Sequence, residues 1–461
     1  MKKEKIINLS VSNLINTKFR DYALYVLTSR GIPSFYDSLT PIQRYILMNT
    51  PSSFSKTVAV VGKVIQSGYH HGSASVESSI SRLARPFGNS FQLLEGYGFF
   101  GTEVTPNAAA ARYTSVKMHN KADEILKRYN YLNTKSEDSY DPFWIDIPIG
   151  LTQAIIGIAV GYKTMILPRK LDDIKDYLAG KRKSIKPFFK DFKGTIKRHK
   201  EVKTSWILKA NLKVENKTIT VTDVSSLIKF STLLNKIEKL INEYDNKLKI
   251  NNNSDTKVNL EIIYTGIRKD EFREIKEKVD KITSIIVSEN VVFIKDSDVL
   301  VYDNLEEYLD DYKWQILRLR TKDSMYLRDK ITDDILFNES KKKFITFMLQ
   351  KKRSLGETDT FLSKYSKDIK TRLENLTSKR FTSTELTKVT SLILELKKEL
   401  IKAKAIYTAA NVIFKKAIDP TIKRGTKTQA TVNLLEDFID DDVIDGIDVY
   451  KADVEVESED I

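Results

Sequence analysis

Asn107-Ala108-Ala109-Ala110-Ala111-Arg112-Tyr113-Thr114 is the stretch on which the reading turns. An arginine stands directly before a tyrosine, after four alanines, in a basic chain that has no cysteine. A phenol can attack a phosphodiester when a nearby cation neutralises the charge that builds up. The phosphotyrosine so formed lets an enzyme cut DNA and still hold the end. Taken alone, Arg112-Tyr113 fits a buried structural tyrosine better than a nucleophile.

Composition narrows the field. The 461 residues exceed one compact core and suit roughly two to four domains. Without cysteine there is no disulfide, no thiolate nucleophile and no cysteine metal site. The four histidines (His70, His71, His119, His199) include a single close pair, a poor basis for a transition-metal centre. The longest apolar run, residues 154–162, stops at Lys163 and is too short to span a bilayer. The start Met1-Lys2-Lys3-Glu4-Lys5 leads into polar sequence and shows no secretory signal. These features predict a cytoplasmic protein with no membrane partner.

Charge points to nucleic acid. The chain carries a formal +14. Residues 436–461 hold twelve acidic side chains against one lysine, which leaves +25 on residues 1–435. Residues 169–203 alone have thirteen Lys/Arg and five Asp/Glu. A body this basic suits a nucleic-acid binder, although a lysine-rich solvated surface gives the same numbers. The acidic tail reads as disordered, or as a competitor of DNA for the basic face.

Periodicity divides the rest. Leu14, Ile15, Phe19, Tyr22, Ala23, Val26 and Leu27 share one helical face, ending near Gly31 and Pro33. Pro41 suits the first turn of a helix bearing Ile42, Arg44, Ile46 and Leu47. Ser73 reads as the N-cap of a helix burying Val76, Ile80, Leu83 and Ala84. Short helices followed by glycine-punctuated strands over 91–102 suggest a helix-turn-helix with a wing. Strands are expected at 205–212, 218–221, 258–264 and 291–294, with helices at 227–241 and 269–285 and a polar loop at 251–255. From Leu305 the spacing changes. Leu305, Leu309, Tyr312, Ile316 and Leu319, then Leu386, Val389, Ile393, Leu396, Leu400, Ala403 and Tyr407, step by threes and fours like a coiled-coil seam. Two long antiparallel helices with a helical knob at about 345–385 are expected, closed by Pro420.

Four separated stretches then converge on one family. Arg30-Gly31-Ile32-Pro33-Ser34-Phe35-Tyr36-Asp37-Ser38-Leu39-Thr40-Pro41-Ile42-Gln43-Arg44 resembles the entry motif of type IIA DNA topoisomerases. Tyr69-His70-His71-Gly72 resembles their Tyr-His-x-His-Gly or Tyr-His-His-Gly motif. Glu95-Gly96-Tyr97-Gly98-Phe99-Phe100-Gly101-Thr102, running on to residues 108–114, resembles the segment around their nucleophile. Gly157-Ile158-Ala159-Val160-Gly161-Tyr162, running on to Pro168, resembles a fourth motif. Each is weak alone, but their order and spacing are specific, and they cover residues 20–170 densely.

The resemblance is to the breakage-rejoining component, like the A subunit of gyrase. No segment like the DNA-wrapping propeller is expected, and the chain looks most like the medium subunits of tailed-phage type II topoisomerases. It implies a multidomain α+β fold. An N-terminal arm (1–29) would precede a winged-helix catalytic DNA-gate domain (30–152). An α/β tower domain (153–303) and a long antiparallel coiled coil with a small exit-gate dimerisation knob (304–420) would follow, and then the tail (421–461). Tyr113 would be the nucleophile. Since a free phenol ionises near about 10, it needs help at neutral pH. Arg112 would stabilise the transition state, a contribution of about 3 kcal/mol for one preorganised donor. His71 is a candidate proton acceptor or phosphate donor and Arg30 would lie by the scissile phosphate. Ile158 would wedge between base pairs, while Arg44, His70 and Lys63 would contact DNA. Which group deprotonates Tyr113 stays open.

The same resemblance implies double-stranded DNA as substrate, a second copy of the chain, and a partner subunit that binds Mg²⁺ and ATP. In a viral setting the host cytoplasm would be the compartment. Ser38 and Thr40 depart from the usual glycine and lysine of the entry motif, and Phe99 from asparagine. A tyrosine recombinase is disfavoured, because no histidine has an arginine three residues later. A non-catalytic DNA-organising coiled-coil protein would explain the charge and the heptads but not Arg112-Tyr113.

Overall fold

Residues 10–129, 131, 141–244, 247–296, 298–350, 355–376 and 381–418 are described by the computed structural model. Two units divide the chain, Met1–Gln315 and Ile316–Ile461. Pro420 and the acidic tail lie outside the described residues.

The first unit opens on helical backbone. α1 (Val11–Leu14) and α2 (Arg20–Val26) alternate with π-helical turns at Ile15–Phe19 and Leu27–Gly31. The Ser10 side chain caps it by accepting the Asn13 amide at 3.2 Å. Of the apolar face read from the sequence, Leu27 is buried, whereas Leu14, Ile15, Phe19 and Tyr22 are exposed. After Gly31 the chain becomes extended at Ile32.

α3 (Pro41–Asn49) starts at Pro41, whose missing N–H is harmless in a first turn. Thr40 and Gln43 form a capping box, with the Thr40 amide donating to Gln43 Oε1 at 2.8 Å. β1 (Ser55–Lys56), α4 (Thr57–Gln66), α5 (Ser73–Ala84), β2 (Leu94–Tyr97) and β3 (Ser115–Met118) follow. Gly72, not Ser73, is the N-cap of α5. Over 91–102 only β2 is a strand, and the rest is loop. The strands form an antiparallel sheet in the order β1-β3-β2, in which Tyr97 pairs with Ser115. Ile46, Val60, Val64, Val76, Ile80 and Leu83 bury the facing sides of α3, α4 and α5.

α6 (Asn120–Lys127) comes next, and after it β4 (Ile155–Ile158) and β5 (Lys163–Ile166) make a hairpin. α7 (Leu171–Leu178), β6 (Thr195–Arg198), β7 (Ser205–Lys209), β8 (Asn211–Glu215) and β9 (Thr218–Thr222) continue the chain. α8 (Phe230–Glu243), β10 (Leu248–Asn252), β11 (Asn259–Tyr264), α9 (Lys269–Ile282) and β12 (Ser284–Ser288) complete two sheets, ordered β10-β11-β9-β8 and β12-β7-β6. The strand expected over 205–212 is thus two strands in different sheets, parted at Ala210. Leu233, Ile237 and Leu240 of α8, with Ile275 and Val279 of α9, pack on Ile219, Val221, Leu260 and Ile262. β13 (Val291–Lys295) and β14 (Asp298–Tyr302) form a last hairpin.

Three ties carry this frame to the 30–44 loop and the β4–β5 hairpin. Arg169 grips Glu289 with both terminal nitrogens, at 3.0 and 2.7 Å, and both residues are buried. Glu289 also accepts the Leu167 amide and Trp206 Nε1, each at 2.7 Å, fastening the end of β5 to the β12-β7-β6 sheet. The Phe35 amide donates to Ile294 O at 2.7 Å, and the Ile294 amide to Pro33 O at 2.9 Å. α10 (Leu305–Gln350) roots its first turns in the same loop. Tyr308 Oη donates to Phe35 O at 2.8 Å, and Tyr312 Oη reaches Tyr36 O at 2.7 Å and Ile145 O at 2.8 Å. Ser38, which replaces the motif's glycine, takes φ +57, a left-handed conformation that favours glycine. Its hydroxyl shares a hydrogen bond with Tyr308 Oη at 2.8 Å.

In the second unit α10 runs on beside α13 (Ser383–Ile418) after two short helices, α11 (Leu355–Leu362) and α12 (Lys367–Glu374). Ile345, Val389 and Ile393 form one cluster. Lys341 pairs with Glu385 at 2.8 Å and Glu339 with Lys397 at 2.9 Å, while Arg328 lies over Tyr407 at 5.0 Å. The partners fall in number along α13 as they rise along α10, so the helices run antiparallel. Phe344, Leu362, Ile369 and Leu373 close a small helical end.

Candidate active site

The loop between β2 and β3 carries Arg112 and Tyr113. It is held from both sides. The Thr57 amide donates to Thr114 O at 3.0 Å, the two threonine hydroxyls share a hydrogen bond at 2.7 Å, and the Val58 amide reaches Ala111 O at 3.3 Å. These ties fasten the loop to the first turn of α4. Gly98 takes φ +107 where an added Cβ would lie 3.4 Å from Thr114 Cα, so a glycine lets β2 turn against the loop. The Tyr113 amide donates to Ala110 O at 2.9 Å, a tight turn that projects the side chain outward. Tyr113 is 65% exposed, and the Arg112 guanidinium lies over its ring at 4.6 Å. A reachable phenol with a cation beside it is what nucleophilic attack on a phosphodiester requires.

A second pair forms beyond the other end of α4. Arg30 Nε donates to His71 Nε2 at 3.1 Å, and Arg30 Nη2 lies 2.9 Å from His71 Nδ1. The His71 ring meets Tyr69 edge-on at 5.1 Å, and Tyr69 meets Tyr45 at 5.4 Å. Partial burial holds the His71 pKa below the usual imidazole range, helped by the charges of Arg30 and His70. The neutral imidazole form of His71 is thereby favoured, with Arg30 facing both of its ring nitrogens.

The ten residues of α4 separate the anchors of these pairs by about 15 Å along the helix. Among the described residues no hydrogen bond, ion pair or ring contact joins Arg112 and Tyr113 to Arg30 and His71. His70, next to His71 in the chain, and Lys63, in the last turn of α4, are exposed.

Arg44, expected to meet the DNA backbone, is turned inward instead. It is 6% exposed, donates from Nε to Asp37 Oδ2 at 2.7 Å and reaches Leu39 O at 2.8 Å. Asp37 in turn accepts the Leu39 and Phe143 amides at 2.9 and 3.0 Å. The physical reason is that Asp37 is fully buried and needs a counter-charge, which Arg44 supplies. This pair shapes the 30–44 loop from inside.

Ile158 is 73% exposed on β4, while Ile155 is buried. Gly157 abuts the Arg30 segment so closely that an added Cβ would lie 1.8 Å from Gly31 O. The hairpin and the π-helical turn bearing Arg30 are thereby locked together. Among the described residues no group of three or more His, Cys, Asp or Glu could hold a metal ion. No helix among them is long and apolar enough to cross a membrane.

Known proteins resemble this chain in sequence and in fold. The DNA topoisomerase medium subunit of Enterobacteria phage T4 is 30% identical over 205 residues, 41% of this chain and 46% of that protein. The DNA gyrase A subunit of Borreliella burgdorferi is 29% identical over 280 residues, 52% of this chain and 34% of that one. The matches thus span less than half of these relatives' length. The fold is similar to the crystal structure of the Plasmodium falciparum topoisomerase II DNA-binding, cleavage and re-ligation domain. That match has a TM-score of 0.73 at 20% identity, over 94% of this chain and 65% of that one. The family model for the DNA gyrase/topoisomerase IV A subunit matches residues 30–419. With that match over most of its length, and with Arg112 and Tyr113 presented outward on an anchored loop, the chain belongs to the DNA gyrase/topoisomerase IV A subunit family.

Proposed function

We propose that this chain is the DNA cleavage and religation subunit of an ATP-dependent type II DNA topoisomerase. The observation that carries the reading is the exposed Tyr113 phenol beneath the Arg112 guanidinium, on a loop tied to α4. Tyr113 Oη attacks a backbone phosphorus, the bond to the 3′ oxygen breaks, and a 5′-phosphotyrosyl ester and a free 3′ hydroxyl result. Arg112 neutralises the charge gathering on the phosphate oxygens. Arg30 takes a non-bridging oxygen, and neutral His71 serves as proton acceptor or phosphate ligand. Religation is the reverse attack by the 3′ hydroxyl.

The order α3, β1, α4, α5, β2, β3 supports a winged-helix DNA gate. The two sheets with α8 and α9 act as the tower, and α10 with α13 as the coiled coil leading to an exit-gate knob. The span of α4 between the two pairs favours a homodimer, in which Tyr113 of one copy works beside Arg30 and His71 of the other. Ile158 wedges into the duplex beside the cut, and His70 and Lys63 contact its backbone. ATP and Mg²⁺ belong to a partner subunit, where the metal supplies positive charge at the phosphate.

The test mixes this chain with its ATPase and metal-binding partner, Mg²⁺ and supercoiled plasmid, and traps covalent protein–DNA adducts with detergent. Tyr113→Phe should remove the adducts altogether while DNA binding persists. Adducts that survive in this variant would end the assignment.

A further inference from the structure

β4 presents more than one isoleucine outward. Its burial alternates: Ile155 and Gly157 face the protein, while Ile156 is 52% and Ile158 is 73% exposed on the opposite face. Across the hairpin, Lys163 lies opposite Ile158 and is exposed, and Met165 lies opposite Ile156. The face is therefore an apolar strip with a cation at its tip. Such a strip suits an anionic polymer whose stacked bases can take an apolar side chain between charged rails. The +25 charge on residues 1–435 makes DNA its best complement. The strip is also fixed in place, because the contact of Gly157 with Gly31 locks it to the turn that bears Arg30.

The geometry points to Ile156 as a sequence-reading residue that favours A·T over G·C in the minor groove, two base pairs from the step opened by Ile158. This rests on Ile158 acting as the wedge. Side chains two residues apart on a strand stand about 6.6 Å apart. Two base-pair rises of about 3.4 Å match that spacing. With Ile158 inserted, Ile156 lies against the groove floor. There a G·C pair projects the guanine N2 amino group, whereas an A·T pair shows acceptors alone. An isoleucine offers that amino group no acceptor and shields it from water, so G·C is penalised. Lys163 holds the neighbouring phosphate rail and adds affinity without sequence preference.

Inosine tests this cleanly, because an I·C pair lacks the N2 amino group and is otherwise close to G·C. The complete enzyme, with Mg²⁺ and its partner subunit, is given one cleavage-site duplex in which each G·C pair is replaced in turn by I·C. The readout is the adduct yield relative to the parent duplex. Wild type should gain about tenfold at one position in each half of the site. Ile156→Ala should lose that gain, Ile156→Val should keep most of it, and Ile156→Asn, which adds an acceptor, should reverse it. Equal response to I·C in wild type and Ile156→Ala overturns the proposal. So does weakened partner binding by Ile156→Ala with sequence preference intact. Ile158→Ala is read separately by fluorescence energy transfer across an end-labelled duplex. If it bends DNA as wild type does, the wedge itself fails. If bending is lost but I·C has no effect on wild type, the wedge stands and the role of Ile156 falls.

Discussion

Tyr113 and Tyr308 are the same side chain in opposite settings. Tyr113 stands 65% exposed beneath a guanidinium, whereas Tyr308 is completely buried, stacked on Phe293 at 4.0 Å and hydrogen-bonded to Ser38 and Phe35. Burial pushes the Tyr308 phenol well above its ordinary range, so it cannot supply a phenolate. The arginines divide in the same way. Arg112 and Arg30 are exposed beside groups that can do chemistry, while Arg44 and Arg169 are enclosed and matched to Asp37 and Glu289. The comparison separates an exposed rim, where the proposed chemistry would run, from an enclosed frame. It teaches that setting, more than residue type, assigns the role.

If that division holds, changes to the frame should unfold the protein and changes to the rim should stop the reaction. The largest stability effect belongs to Arg44→Ala, which strands Asp37 without a counter-charge. Urea titration should show a loss of about 3–5 kcal/mol. Arg112→Ala in the same experiment should stay within about 0.5 kcal/mol of wild type yet depress adduct formation. A large loss of stability from Arg112→Ala would break the division.

Gly157→Ala probes the seam between rim and frame. Overpacking against Gly31 O should lower stability by about 1–3 kcal/mol. Displacing the hairpin from Arg30 by as little as about 1 Å should cut cleavage by about a hundredfold. Loss of stability with normal cleavage per folded molecule would show that the seam does not transmit position.

Tyr308→Phe, the enclosed counterpart of Tyr113→Phe, should lower stability by about 1–3 kcal/mol and leave adducts at the wild-type level. The smallest effect is expected where the loop of Tyr113 rests on the frame. Glu103 lies in that loop beside Asp191, with Lys257 close to both. Burial first, and then the charge of Asp191, pushes its pKa up to about 7 from 4.5. The folded state therefore holds this proton more tightly than the unfolded chain does. Its contribution is present at low pH and is lost as pH rises through about 7. Glu103→Gln should melt like wild type below pH 4.5 and at higher temperature at pH 8, by a margin reduced by the water around the site. Identical melting at pH 8 would show that the loop does not feel the charge.

What was legible in the sequence follows from how local each signal is. Arg112-Tyr113, the Arg30 motif and His71 stood out because their chemistry is written within a few residues. The long helices were legible because Leu305 to Leu319 and Leu386 to Tyr407 repeat over many turns. Arg44 was misread because its partner and its burial are tertiary. Nothing adjacent to it reveals that Asp37 is sealed in. β10 was hidden by Lys249, Asn251 and Asn252, polar residues that strand pairing with β11 tolerates. β12 was absorbed into the preceding helix, since Ile285, Ile286 and Val287 continue an apolar run whose period is ambiguous at that length. In β4 every residue is apolar or glycine, so no alternation marked Ile156 and Ile158 as the outward pair.

The meeting of Gly31 with Gly157 has a consequence for the proposed cleavage reaction. Two backbones in contact without room for a methyl group leave no play between the hairpin that bears Ile158 and the turn that bears Arg30. In the proposed reaction a duplex that refuses to bend cannot bring its backbone to Arg30. Stiffness of the helix itself then acts as a veto on breakage. On that proposal scission would be a coincidence event, permitted only where deformation and capture arrive together.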